Sequence, residues 1–125
     1  MQIVTHPREI DEPALKQLVQ IRFDSLAVYD EPIAELARFH VVRPGDTVDA
    51  LLTNPVDGCH YGDPDFMPCW EWAIAYSSGW YEIAIILDDS GFGHVYFVPD
   101  ADGIDAGLLD LCRQEAIEQQ VPTLP

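Results

Sequence analysis

Basic residues are scarce in this sequence. Five arginines and one lysine stand against 14 aspartates and eight glutamates, for a formal net charge of -16 over 125 residues. A surface with that balance repels nucleic-acid phosphates and anionic lipid headgroups, so charge argues against direct binding to either. Cysteine is sparse as well: Cys59, Cys69 and Cys112 form an odd set without the density of a disulfide framework, and reduced thiols are expected. No run of about 18 apolar residues occurs, and Met1 to His6 show no basic stretch leading into an apolar one. A cytoplasmic chain is the expectation. A glycine-rich phosphate loop is also missing, because the one glycine-containing turn of that kind, Asp89 to Gly93, is short and acidic.

Apolar residues are plentiful, at 48% of the chain, which is enough for a core and outside the range of disordered sequences. The length suits a single domain over residues 1–125. Asp11 or Glu12 followed by Pro13 predicts a helix to about Val28, with Leu15, Leu18, Val19 and Leu26 on its apolar stripe and Ile21 and Phe23 widening it. Arg22 falls within that stripe, and its stem is expected to lie over core residues with its guanidinium paired to a carboxylate. Asp30-Glu31-Pro32 starts a second helix that ends near Phe39, ahead of an extended His40-Val41-Val42. Asp46 can cap a third short helix through Leu52. A loop rich in Gly, Asp and Pro then runs from Val56 to Pro68.

Residues 70 to 98 carry strand periodicity. A two-residue turn at Ser78-Gly79 sets Tyr76 against Tyr81, Ile74 against Ile83, Trp72 against Ile85 and Trp70 against Leu87, all on one side. A second turn at Asp89-Ser90-Gly91-Phe92 sets His94, Tyr96 and Val98 on that same side, opposite Leu87, Ile85 and Ile83. The fold class is thus α+β, a three-stranded antiparallel meander over about 70–98 packed by the N-terminal helices and by a C-terminal helix. That last helix starts at Asp100, Asp102 or Asp105 and carries Ile104, Leu108, Leu111, Cys112 and Ala116. The second sheet face, with Trp80, Ile86 and Phe97, is too apolar to stay wet: if the helices occupy only the Trp70 and Trp72 side, a second copy of the chain would supply the cover, and a monomer would need helices on both faces. Glu71 and Glu82 lie diagonal to one another on that face and are expected to reach solvent.

Charge is concentrated along the chain. Residues 1–43 hold five of the six cations against seven acids, whereas residues 44–112 hold thirteen acids and no Lys or Arg. Such a field steers basic partners. The composition resembles that of DNA-mimic inhibitors, proteins whose carboxylates occupy the nucleic-acid site of a DNA-binding protein. The leading expectation is an acidic, non-enzymatic interaction module that binds a basic protein surface through Asp63, Asp65, Asp88 and Asp89 at one end of the sheet and Asp100, Asp102 and Asp105 at the other. Strands of six to eight residues would separate these clusters by about 20 to 27 Å. The competing expectation is a small metal-dependent protein or enzyme. Its site would be the same sheet end, where Cys59, His60, Cys69 and His94 offer the ligand count of tetrahedral zinc without its usual spacing. No cofactor and no catalytic residue is assigned. His6 and His40 carry no partner signal.

Overall fold

The structure is a computed structural model that describes residues 1–48, 52–53, 58–64, 71–86 and 93–120, with backbone alone at 71–73, 85–86 and 117–120. Strand β1 (Gln2–Val4) is followed by a single 3-10 turn, α1 (Pro13–Leu26), the short α2 (Ile33–Leu36), β2 (Ala37–Val41), β3 (Glu71–Ser77), β4 (Trp80–Ile86), β5 (Gly93–Pro99) and α3 (Ala106–Gln120).

The β3–β4 hairpin has the expected register. Tyr76 pairs with Tyr81, Ile74 with Ile83 and Trp72 with Ile85. Its turn has positive φ at both central residues, 54° at Ser78 and 88° at Gly79, the combination of a type I′ turn whose twist suits a hairpin. Strand β5 pairs with β4 two residues away from the expected register: His94 lies opposite Ile85, Tyr96 opposite Ile83 and Val98 opposite Tyr81. The pairing described runs from Trp80 opposite Pro99 to Ile86 opposite Gly93, and the turn expected at Asp89-Ser90-Gly91-Phe92 lies outside the described residues. A slip of two residues preserves every face, because side chains alternate with a period of two.

The sheet has five strands where three were expected, in the order β1-β2-β5-β4-β3. Strand β2 runs parallel to β5, and β1 adds antiparallel to β2. The α+β class is as expected. The second helix stops at Leu36, earlier than Phe39, because Ala37 is already extended and begins β2. Residues 46–48 are not helical, and the Asp46 carboxylate instead accepts the Arg43 amide at 2.8 Å.

Helices cover both faces of the sheet. On one, Leu108, Leu111, Cys112 and Ala116 of α3 pack against Ile74, Tyr81, Ile83 and Val98. On the other, Leu15, Val19 and Phe23 of α1 pack against Phe39, Val41, Trp80, Val95 and Phe97. The expectation of an uncovered second face is therefore corrected. Trp80 is 9% exposed and Phe97 is fully buried under α1 of the same chain, so a second copy is not required there. Ile86 sits at a register position opposite Gly93 and Glu71, and its side chain lies outside the described residues. Ile21, expected on the α1 stripe, is 57% exposed.

Arg22 behaves as the sequence suggests: its Nε donates to Glu82 Oε1 at 2.7 Å, and a second guanidinium nitrogen pairs with the same oxygen. Glu82 is corrected accordingly, since it is largely buried against α1 and does not reach out to solvent. Glu12 is the α1 N-cap residue, yet its carboxylate caps no helix amide. Arg43 takes it with both terminal nitrogens and also donates to Gln2 Oε1 at 3.0 Å. The start of α1, strand β1 and the end of β2 are thereby tied at one point.

A side chain at Gly79 would meet nothing within 4 Å, so replacing it tests backbone conformation alone. Gly79→Ala should cost about 1–2 kcal/mol, the penalty of a left-handed L-residue. Ser78→Asn should be neutral or stabilising, since asparagine accepts that conformation. Urea denaturation of both variants checks this, and an unchanged Gly79→Ala midpoint would refute the turn assignment.

Candidate functional site

Of the thirteen acids in residues 44–112, Asp100, Asp102, Asp105 and Asp110 lie on α3 or just before it. Asp105 accepts the Leu108 amide at 3.0 Å and caps the helix, whose N-terminal dipole favours negative charge. Asp100 accepts the Tyr81 hydroxyl at 3.1 Å and pairs with Arg113, which donates to its second oxygen. That guanidinium, more than the Tyr81 bond, holds the Asp100 carboxyl below its usual range. Asp110 accepts Tyr61 Oη at 3.0 Å and the Gln114 amide at 3.1 Å. Asp102 is exposed.

Asp63 belongs to the same region. Its carboxylate accepts the His60 amide at 2.9 Å, closing a turn that Tyr61 ties to Asp110. The Tyr61 amide donates to Leu52 O at 2.7 Å, and Leu52 Cδ1 stands 3.5 Å from where a methyl on Gly107 would lie. The neighbouring 43–46 turn abuts the same corner: Gly45 donates to Gly103 O at 3.0 Å, and a Cβ on Gly103 would meet Pro44 Cβ at 2.9 Å. Asp63 thus lies at the Asp100 to Asp105 end of the sheet, which corrects the placement of these residues in opposite clusters. Asp65, Asp88 and Asp89 lie outside the described residues. Asp63, Asp102, Asp105 and Asp110 are all exposed, on the segment 102–110 or on the turn that Tyr61 ties to it. Among the described residues none of the four has a Lys or Arg partner, because Arg113 is spent on Asp100.

The described members of the metal-ligand set expected at the sheet end do not come together. His60 Nδ1 lies 2.8 Å from Tyr61 O, on the segment held to α3. His94 is on β5, beside β2. Cys59 is half-buried on the His60 segment, and Cys69 lies outside the described residues. No group of three or more His, Cys, Asp and Glu side chains converges among the described residues. Cys112 is buried, and burial first, then Asp100, pushes its thiol up to about 12, so it is not a thiolate at neutral pH.

His94 instead meets His40, a residue with no partner signal in the sequence. The parallel register sets Arg38 beside His94 and His40 beside Tyr96. His40 Nε2 lies 3.2 Å from His94 Nδ1, and the His40 ring stacks on Tyr96 with centroids 4.4 Å apart and planes 11° from parallel. Burial lowers the His40 pKa to about 4, helped by the positive potential of His94, Arg38 and the amino terminus. The ring is neutral at pH 7. Burial likewise raises the Tyr96 phenol. Only the parallel pairing of strands far apart in sequence brings these groups together, and nothing local signals it.

A histidine whose folded pKa lies below its unfolded value of about 6.5 binds fewer protons folded than unfolded between those two values. Stability is therefore full above about pH 6.5 and falls as pH drops towards 4. The loss is smaller than full linkage because the ring is only half-buried. Thermal melts at pH 7 and 5 should show a fall in Tm that His40→Phe reduces. An equal fall in the variant would count against His40 as its source. The stability given by the lowered carboxyls Glu12 and Asp100 is present above their unfolded values and is lost only at more acidic pH.

No helix among the described residues is long and apolar enough to cross a membrane. No protein family, curated protein or solved structure matches the chain.

Proposed function

We propose that this chain is an acidic, non-enzymatic interaction module of the cytoplasm. Its partner would be a basic protein surface, with the nucleic-acid-binding site of another protein as the partner class that the charge fits. The observation that carries this reading is the set Asp63, Asp102, Asp105 and Asp110, exposed and without a cationic partner among the described residues.

Two features support it. Asp105 and Asp63 sit on fixed backbone, a capped helix start and a closed turn, so these carboxylates are held in place and lose little freedom on binding. Five of the six cations lie in residues 1–43, and Arg22 and Arg43 there, with Arg113 on α3, are engaged with carboxylates of the chain itself. Little positive charge remains to soften the field at α3. Asp100 contributes to this reading less than its exposed neighbours, because Arg113 neutralises it.

Asparagine keeps the geometry and removes the charge, since its side-chain oxygen can still cap a helix or close a turn. The triple variant Asp63→Asn, Asp102→Asn, Asp105→Asn should fold normally. It should associate with a basic partner recovered from the source cell roughly tenfold more slowly at low salt, with a shallower salt dependence. Duplex DNA should displace the native chain from that partner. Unchanged association and salt slope in the triple variant would show that the acids serve only to solvate the surface.

A further inference from the structure

Alternation along β2 divides its side chains between the two faces of the sheet. Ala37, Phe39 and Val41 are buried with α1, so Arg38 and His40 lie on the opposite face. The parallel register brings two residues of β5 to them: His94 stands beside Arg38 and Tyr96 beside His40. Strand β1 places Ile3, 52% exposed, on the other side of His40. Helix α3 packs on this face against Ile74, Tyr81, Ile83 and Val98, farther towards β3. Arg38 is exposed and His40 and His94 are half-buried, so three basic side chains come together at the seam between β2 and β5.

The local electrostatics are opposite in sign to those of the whole chain. The charges that act on His40 are His94, Arg38 and the amino terminus, all of them positive, and Arg38 is the charge that acts on Tyr96. No carboxylate joins them among the described residues, in a chain with 22 acids. The amino terminus is itself engaged, 3.5 Å from Asp46 Oδ1. Arg22, Arg43 and Arg113 are each held by a carboxylate, whereas Arg38 forms no ion pair among the described residues. Distant acids are screened beyond about 8 Å at physiological ionic strength, so an anion at Arg38 meets chiefly the positive groups beside it. The His40–His94 pair, joined at 3.2 Å, can also take up a further proton, which would place a second positive charge next to Arg38 on the same face.

We propose that this face binds a doubly charged oxyanion, the chemistry of a phosphate group, at Arg38, and that the His40–His94 pair takes up a proton when it does. A guanidinium fork matches two oxygens of such an anion in geometry and charge. One imidazolium beside it brings the balance to two positive charges against two negative. The anion then raises the proton affinity of the pair, and the proton raises the affinity for the anion by the same factor. The site is separate from the acids near α3 and needs no basic partner, so it stands or falls independently of the function proposed above.

Calorimetric titration of the full chain with sulfate, at constant ionic strength set with sodium chloride, tests the proposal, because sulfate stays a dianion across the pH range used. It should bind roughly four- to tenfold more tightly at pH 5 than at pH 7.5, the gain expected if it raises the His40 value from about 4 to between about 5.5 and 6. In NMR spectra, the imidazole C–H resonances of His40 should titrate at higher pH in sulfate than in chloride. Arg38→Gln, on an exposed position, should lose sulfate binding at both pH values while keeping the native circular dichroism spectrum. His40→Gln should retain binding at pH 7.5 and lose most of the gain at pH 5. Phenyl phosphate binding more tightly than inorganic phosphate at pH 7.5 assigns the site to a phosphate ester whose apolar part lies on Ile3, and equal affinity assigns it to the free anion. Absence of sulfate binding at both pH values, unchanged binding in Arg38→Gln, or a gain at pH 5 that His40→Gln keeps in full would overturn the proposal.

Discussion

The parallel pairing of β2 with β5 is the contact on which the rest of the architecture depends. It carries the sequence before residue 42 onto a meander that is otherwise built from neighbouring segments. It makes β5 an interior strand with a partner on each side, so that Val95 and Phe97 point to one helix layer and Val98 to the other. A sheet with parallel strands at its centre is stable only when both faces are covered, and α1 and α3 supply the two covers. Without that pairing α1 would have no floor.

Arginine is used in this chain as an internal connector. Arg22 joins α1 to β4, Arg43 joins the end of β2 to the start of α1 and to β1, and Arg113 joins α3 to the end of β5. Each pair is at least partly exposed, and pairs of that kind contribute little to stability on average. Their larger effect is on where charge is left over. Once these three guanidinium groups are occupied, the helix start at Asp105 and the turn at Asp63 remain negative.

Much of the local structure was legible in the sequence. Alternation sets the partners Tyr76–Tyr81 and Ile74–Ile83, Ser78-Gly79 marks the turn, and Arg22 within an apolar stripe implies a carboxylate partner. Asp105, which caps α3, is one of three aspartates in the sequence suited to start that helix. All of these rest on residues close in sequence or on a single period. Strand β1 has three residues, too few to show a period, and β2 follows a helical start signal that its own β-branched and aromatic residues override at Ala37. The parallel register, and with it the His40–His94 contact, depends on pairing across more than fifty residues, which no local pattern encodes. The position of Asp63 is hidden for a similar reason: chain order carries its loop forward to Trp70, whereas Tyr61 ties it to α3 and to Leu52. The apolar face at Trp80 and the α1 stripe that covers it are each visible as patterns, but nothing in the sequence links the two.

The contact between His40 and His94 has a further consequence. When both rings are neutral each carries one ring proton, and a hydrogen bond between two ring nitrogens needs one donor and one acceptor. If His40 carries its proton on Nε2, His94 Nδ1 must be bare and its proton must sit on Nε2. If His94 carries the proton on Nδ1, His40 Nε2 must be the acceptor and its own proton moves to Nδ1. The tautomers of the two rings are therefore interlocked across the seam between β2 and β5. A group that bonds to the far nitrogen of either ring selects the proton arrangement of both.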